Sequence, residues 1–208
     1  MSLARQAVVA GYVGDRAGAL AVWSSGSASQ RALALSALAR MGAFGSKELL
    51  AACDHHFAEV RARALELASQ LTPPAWSKLM EGMADPDWRV VEAACFCAGE
   101  SADNADPETR AMLARALSQV AREHEDPLCA EAAVAALGAI GHPEGLDALL
   151  RAVSGPPAIR RRAVVALAAF EGPEVQGALE KALVDRDWQV RQVAEDLLGR
   201  PGPSRTTS

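Results

Sequence analysis

Five short stretches of the chain carry residue types that can do chemistry. Cys53-Asp54-His55-His56 gathers thiol, carboxylate and imidazole, the donors of a transition-metal site. Cys95-x-Cys97 sets two thiols close together in the manner of a redox pair. Asp85-Pro86-Asp87 and Asp185-Arg186-Asp187 each offer two carboxylates, the material of acid–base catalysis. Arg160-Arg161-Arg162 is the densest basic run and invites a phosphate.

Spacing argues against each of these readings. Structural zinc commonly takes two spaced ligand pairs, and His124 and His142 stand far from Cys53 without forming a second one. On a helix, residues two apart point about 200° away from each other, which separates Cys95 from Cys97 and fans the three arginines around the axis. No G-x-S-x-G elbow, P-loop, G-x-G-x-x-G or H-E-x-x-H is present. The carboxylate pairs recur because their surroundings recur: DPDWRVVEAACFCA at 85–98 returns as DRDWQVRQVAEDLL at 185–198. That repetition assigns Asp85 and Asp185 to turns and N-caps. No catalytic residue, no metal and no cofactor is expected.

The elements that carry these stretches follow from the repetition. A residue preceding arginine or its equivalent recurs at Gln30, Val60, Val90, Cys129, Ile159 and Val190, in steps of 30, 30, 39, 30 and 31. An alanine follows four positions later every time, from Ala34 to Ala194. The register extends back to Ala4. Each unit joins a short apolar pattern (Leu49, Leu50, Cys53; Leu79, Met80, Met83; Leu146, Leu149, Leu150, Val153; Leu179, Leu183) to a longer one. The longer pattern is clearest as Ile159, Ala163, Ala166, Leu167, Phe170, which is helical periodicity. Gly141-His142-Pro143, Gly172-Pro173 and Thr72-Pro73-Pro74 punctuate the helices. The chain therefore reads as all-α: an α-solenoid of about six stacked helix pairs, with an N-terminal half-repeat helix at about 2–13. Stacking buries apolar faces that no single pair covers alone. Residues 1–199 form one solenoid domain in this reading, and 200–208 a disordered tail.

An aspartate-containing turn followed by Val-Arg-x-x-x-Ala resembles the HEAT repeat family, in the short form also found in phycobilisome lyase subunits. The residues are Val60-Arg61 with Ala64, Ile159-Arg160 with Ala163, and Val190-Arg191 with Ala194. The resemblance covers roughly 15–199. It implies a right-handed solenoid with the longer helices on its concave side. It also implies a ladder of Arg–Asp contacts, interrupted where Val91 and Ala130 replace arginine.

Composition narrows the function. Half of the 208 residues are hydrophobic but only 4% aromatic, which suits closely packed helices. A net charge of −5 argues against nucleic acid and anionic membranes. No stretch of about 18 apolar residues could span a bilayer. The N-terminus makes a poor signal peptide, and Cys53, Cys95, Cys97 and Cys129 read as reduced core thiols of a cytoplasmic protein.

Arg31, Arg61, Arg160 and Arg191 are expected to pair with turn aspartates, Asp85 and Asp185 among them, and so to hold the stack together. Polar residues that vary at otherwise equivalent positions mark the candidate partner face: Arg63, Glu66, Glu92, Glu131, Arg161, Gln192 and Glu195, with Trp88 as first choice for a contact. Trp23, Trp76 and Trp188 are expected to cover turns. An insertion at 101–110, carrying Asp103, Asp106 and Glu108, accounts for the 39-residue step and should lengthen the next helix. The function expected is non-enzymatic: a scaffold or adaptor that binds a protein or peptide on the concave face. Two alternatives come with the resemblance, a nucleic-acid-binding protein like the HEAT-like alkylpurine DNA glycosylases and a bilin lyase or chaperone-like accessory protein. Oligomeric state stays open.

Overall fold

Aspartate and proline set where the helices begin. Asp15, Asp87, Asp106, Asp126 and Asp187 each accept an N–H from the first turn of the helix that follows, at 2.8–3.0 Å. Pro107, Pro127, Pro157 and Pro173 stand at first helical positions, where a missing N–H costs nothing. Gly141 ends its helix with φ 61°, a left-handed conformation that releases the chain into the next turn.

The computed structural model describes residues 3–199. These form thirteen α-helices, and no strand occurs among the described residues. The first is α1 (Leu3–Val13). Six pairs follow: α2 (Arg16–Ser25) with α3 (Ala28–Arg40), α4 (Ser46–Ala52) with α5 (Ala58–Ala68), α6 (Trp76–Gly82) with α7 (Trp88–Glu100), α8 (Pro107–Glu123) with α9 (Pro127–Ile140), α10 (Leu146–Ala152) with α11 (Pro157–Ala166), and α12 (Pro173–Ala182) with α13 (Trp188–Leu198). The half-repeat and the six pairs expected from the sequence are both present. The proposed tail at 200–208 lies outside the described residues.

The chain divides into two compact units, Met1–Asn104 and Ala105–Ser208, and the boundary falls within the 101–110 insertion. In the first unit α1, α3, α5 and α7 pack side by side, and α2, α4 and α6 each lean on the second helix of their own pair. In the second unit α9, α11 and α13 pack in succession, with α8, α10 and α12 against their partners. Within each unit, successive repeats thus bury apolar faces on one another, as a stacked array must. The insertion runs through the Asp106 cap into the first turn of α8, which at 17 residues is the longest helix described.

The core departs from the sequence pattern at two places. Val60, Val90, Cys129 and Val190 are buried as anchors, but Ile159 is only half-buried and Arg160 is buried beside it. In addition, the fifth position after the anchor is fully buried or nearly so in five repeats, at Leu35, Leu65, Cys95, Val134 and Val164. In the last helix that position is Glu195, and there α13 buries only Val190 and Ala194.

Candidate interaction surface

The turn between the two helices of a repeat is built twice over. Asp85 Oδ1 accepts the Asp87 N–H at 2.9 Å, and Asp185 Oδ1 accepts the Asp187 N–H at 2.8 Å. Histidine does the same work elsewhere: His55 Nδ1 accepts the Phe57 N–H at 3.1 Å, and His124 Nδ1 accepts the Asp126 N–H at 3.0 Å. His55 therefore serves its turn. Burial, with His56, Arg31 and Arg61 nearby, holds its pKa below the ordinary imidazole value. The rest of the Cys53-Asp54-His55-His56 stretch is equally committed. Cys53 donates to the Leu49 carbonyl, and burial pushes its thiol up to about 11. Asp54 accepts from Lys78 at 2.7 Å, and the His55, His56 and Phe57 rings lie against one another.

Every repeat arginine ties down the turn just before its own helix. Arg31 donates to the Gly26 and Ser24 carbonyls, Arg61 to His55 and His56, Arg160 to Gly155, and Arg191 to Asp185. Two of them also reach a carboxylate of the following repeat. Arg61 forms a two-pronged pair with Asp85, both bonds 2.7 Å long, and Arg160 meets Asp185 at 2.8 Å. Arg31 faces His55 at the equivalent turn position, and no repeat follows Arg191 among the described residues, so pairing with aspartate reaches two of the four arginines. Val91 and Ala130, which replace arginine, are buried.

Arg160, Arg161 and Arg162 diverge as helical spacing requires. Arg160 turns inward to Asp185. Arg161 goes forward to Gln189 and, at 3.6 Å, to Asp187, while Arg162 goes back to Glu131 at 3.2 Å. No single basic patch results.

The face opposite the buried stripe lies two and six positions after each anchor, about 200° and 240° around the helix. In the first unit it holds Glu66 on α5 and Glu92 and Phe96 on α7. Arg63, one position off this line, pairs with Glu66, and Arg89 reaches Glu59 at 3.4 Å. In the second unit it holds Glu131 on α9, Arg161 and Val165 on α11, and Gln192 on α13. Gln192 donates to Asp196 at 3.1 Å, and Glu195 sits off the face, in the terminal core position.

The sequence reading missed the apolar members of this face. Phe96 is 61% exposed and Val165 is 49% exposed, both six positions after an anchor. Only the full heptad-like register of each repeat marks them. Trp188 is 64% exposed at the start of α13, so it does not seal its turn, and Trp88 is partly exposed at the start of α7. Trp23 packs edge-on against Phe44 with ring centroids 5.5 Å apart.

One groove joins candidates that sequence could only name separately. A shallow depression of about 250 Å³ crosses α9, α11 and α13, lined by Glu131, Ala158, Arg161, Arg162, Val165 and Gln189. It holds two of the eight residues expected at a partner face, along with both signs of charge and an exposed valine.

Residues 114–199 match the family model for HEAT repeats. No curated protein matches the chain in sequence. Among solved structures, an engineered protein is 17% identical with a TM-score of 0.63, over 89% of this chain and 95% of that one. A designed armadillo repeat protein, solved in complex with the peptide (KR)4, is 16% identical with a TM-score of 0.62, over 95% of this chain and 97% of that one. These similarities show the fold, a helical repeat array of the α-solenoid kind. No described helix is long and apolar enough to cross a membrane.

Proposed function

We propose, starting from the HEAT repeats at 114–199, that the chain is a non-enzymatic scaffold of the cytoplasm that binds a protein or peptide across successive second helices. The observation that carries the reading is the groove over α9, α11 and α13, which sets Glu131, Arg161 and Arg162 around Val165. Such a surface offers an apolar contact in a polar rim of both signs, the usual composition of a peptide site. A designed armadillo repeat protein of similar fold was solved in complex with the peptide (KR)4, which supports the same use here. In the first unit, Trp88, Arg63, Glu66 and Glu92, with Phe96, are the corresponding contacts.

Selection of displayed nonapeptides on the purified chain, followed by amide chemical-shift mapping, tests the proposal. Shifts should concentrate on Glu131, Ala158, Val165 and Gln189, and Val165→Glu should weaken binding at least about tenfold with helical circular dichroism unchanged. Shifts confined to other residues would overturn it, as would a strongly salt-dependent affinity for duplex DNA.

A further inference from the structure

A larger groove lies between α10 and α12, on the first-helix side of the second unit. It encloses about 790 Å³. Its apolar wall comes from Leu150, Val153 and Pro173, and its rim carries Lys181 and Arg186. At its base Arg160 and Asp185 neutralise each other at 2.8 Å.

Gly177 gives this groove its meaning. An interior glycine weakens a helix relative to alanine, so it normally marks a place where a side chain cannot fit. That explanation holds for Gly138, whose added Cβ would stand 2.6 Å from Ala166 Cβ and 2.8 Å from Ala166 Cα. It fails for Gly177: an added Cβ would meet no atom within 4 Å. The bare backbone of α12 faces open groove. Nothing among the described residues of this chain uses the room.

Charge points to the kind of occupant. Lys181 and Arg186 are exposed and make no ion pair among the described residues, while Glu174 is the one carboxylate on the rim outside the Arg160–Asp185 pair. The groove is thus a net cationic site on a chain of net charge −5. We propose that it receives an extended acidic peptide segment of a partner, with an aliphatic side chain against Leu150 and Val153, the main chain passing close over Gly177, and carboxylates meeting Lys181 and Arg186. The site is separate from the groove over α9, α11 and α13, and it stands whether or not that one binds.

Two variants test it. Gly177→Leu sets a side chain that helices favour into the path over Gly177, and Lys181→Glu/Arg186→Glu reverses the rim while leaving the packing alone. Displayed nonapeptides are first depleted on Gly177→Leu, then selected on the wild-type chain, and the survivors are measured by fluorescence anisotropy. The expected survivors are rich in Asp, Glu, Leu and Ile, bind the double charge reversal at least about tenfold more weakly, and bind Val165→Glu as they bind wild type. Gly177→Leu should melt no earlier than wild type, which separates a blocked groove from a broken fold. The proposal is overturned if no peptide survives depletion, if survivors are basic, or if charge reversal leaves affinity unchanged. Wild-type self-association that Gly177→Leu abolishes would also overturn it, by making a second copy the occupant.

Discussion

Asp85 accepts three hydrogen bonds, two from Arg61 and one from the Asp87 N–H, with 11% of its side chain exposed. Asp85→Ala removes the turn and leaves a largely buried guanidinium without its counter-ion, so a loss of about 3 kcal/mol is expected in urea unfolding. Asp85→Asn keeps the turn acceptor and should cost distinctly less. Asp87 titrates in the same turn. Its hydrogen bond from Arg89 holds its carboxyl below the usual 3.8, so the stability it contributes is present above that pH and is lost as pH falls below it. The stability gap between wild type and Asp87→Asn should accordingly be full at neutral pH and close in acid. Cys53 shows the opposite sign. Its thiol sits at about 11 against 9.0 in the open chain, so its contribution is intact below pH 9 and disappears as pH rises toward 11. At neutral pH Cys53 should react with a thiol reagent only after denaturation.

Helices in this fold meet at glycine and alanine, and the two kinds of glycine should answer substitution differently. Gly138 on α9 lies against Ala166 of α11, where a Cβ would come within 2.8 Å of the Ala166 Cα. Backbone cannot swing aside as a side chain can, so Gly138→Ala should destabilise by about 1–3 kcal/mol despite the better helix propensity of alanine. Gly177→Ala, with open space around it, should stabilise α12 by up to about 1 kcal/mol. Thermal melts of the two variants give shifts of opposite sign if the packing is as described. Sequence alone shows two glycines inside helical patterns and nothing to tell them apart.

Over the whole molecule, burial within each array is uneven, and stability should follow it. In the second unit α9 buries seven residues, Cys129 through Ile140, whereas α13 buries two and places Glu195 where other repeats hold Leu, Val or Cys. A polar outer face suits a helix with no further repeat stacked on it. Hydrogen exchange followed by mass spectrometry should therefore find α13 markedly less protected than α9. Equal protection would mean that something outside the described residues covers it.

Much of this architecture is written along the chain. A turn, a cap and an apolar period of 3.6 are local features, and each repeat needs only its neighbours, so spacings of 30 and 39 residues were enough to place six helix pairs and the insertion. The structure adds what depends on approach between elements. His55 and Asp85 do the same job at their turns, although their types suggested different chemistry. Arg31 and Arg61 share a motif, yet only Arg61 finds an aspartate in the next repeat. The two grooves needed coordinates as well, because the space beside Gly177 or Val165 depends on the distance between helices, which no residue type encodes on its own.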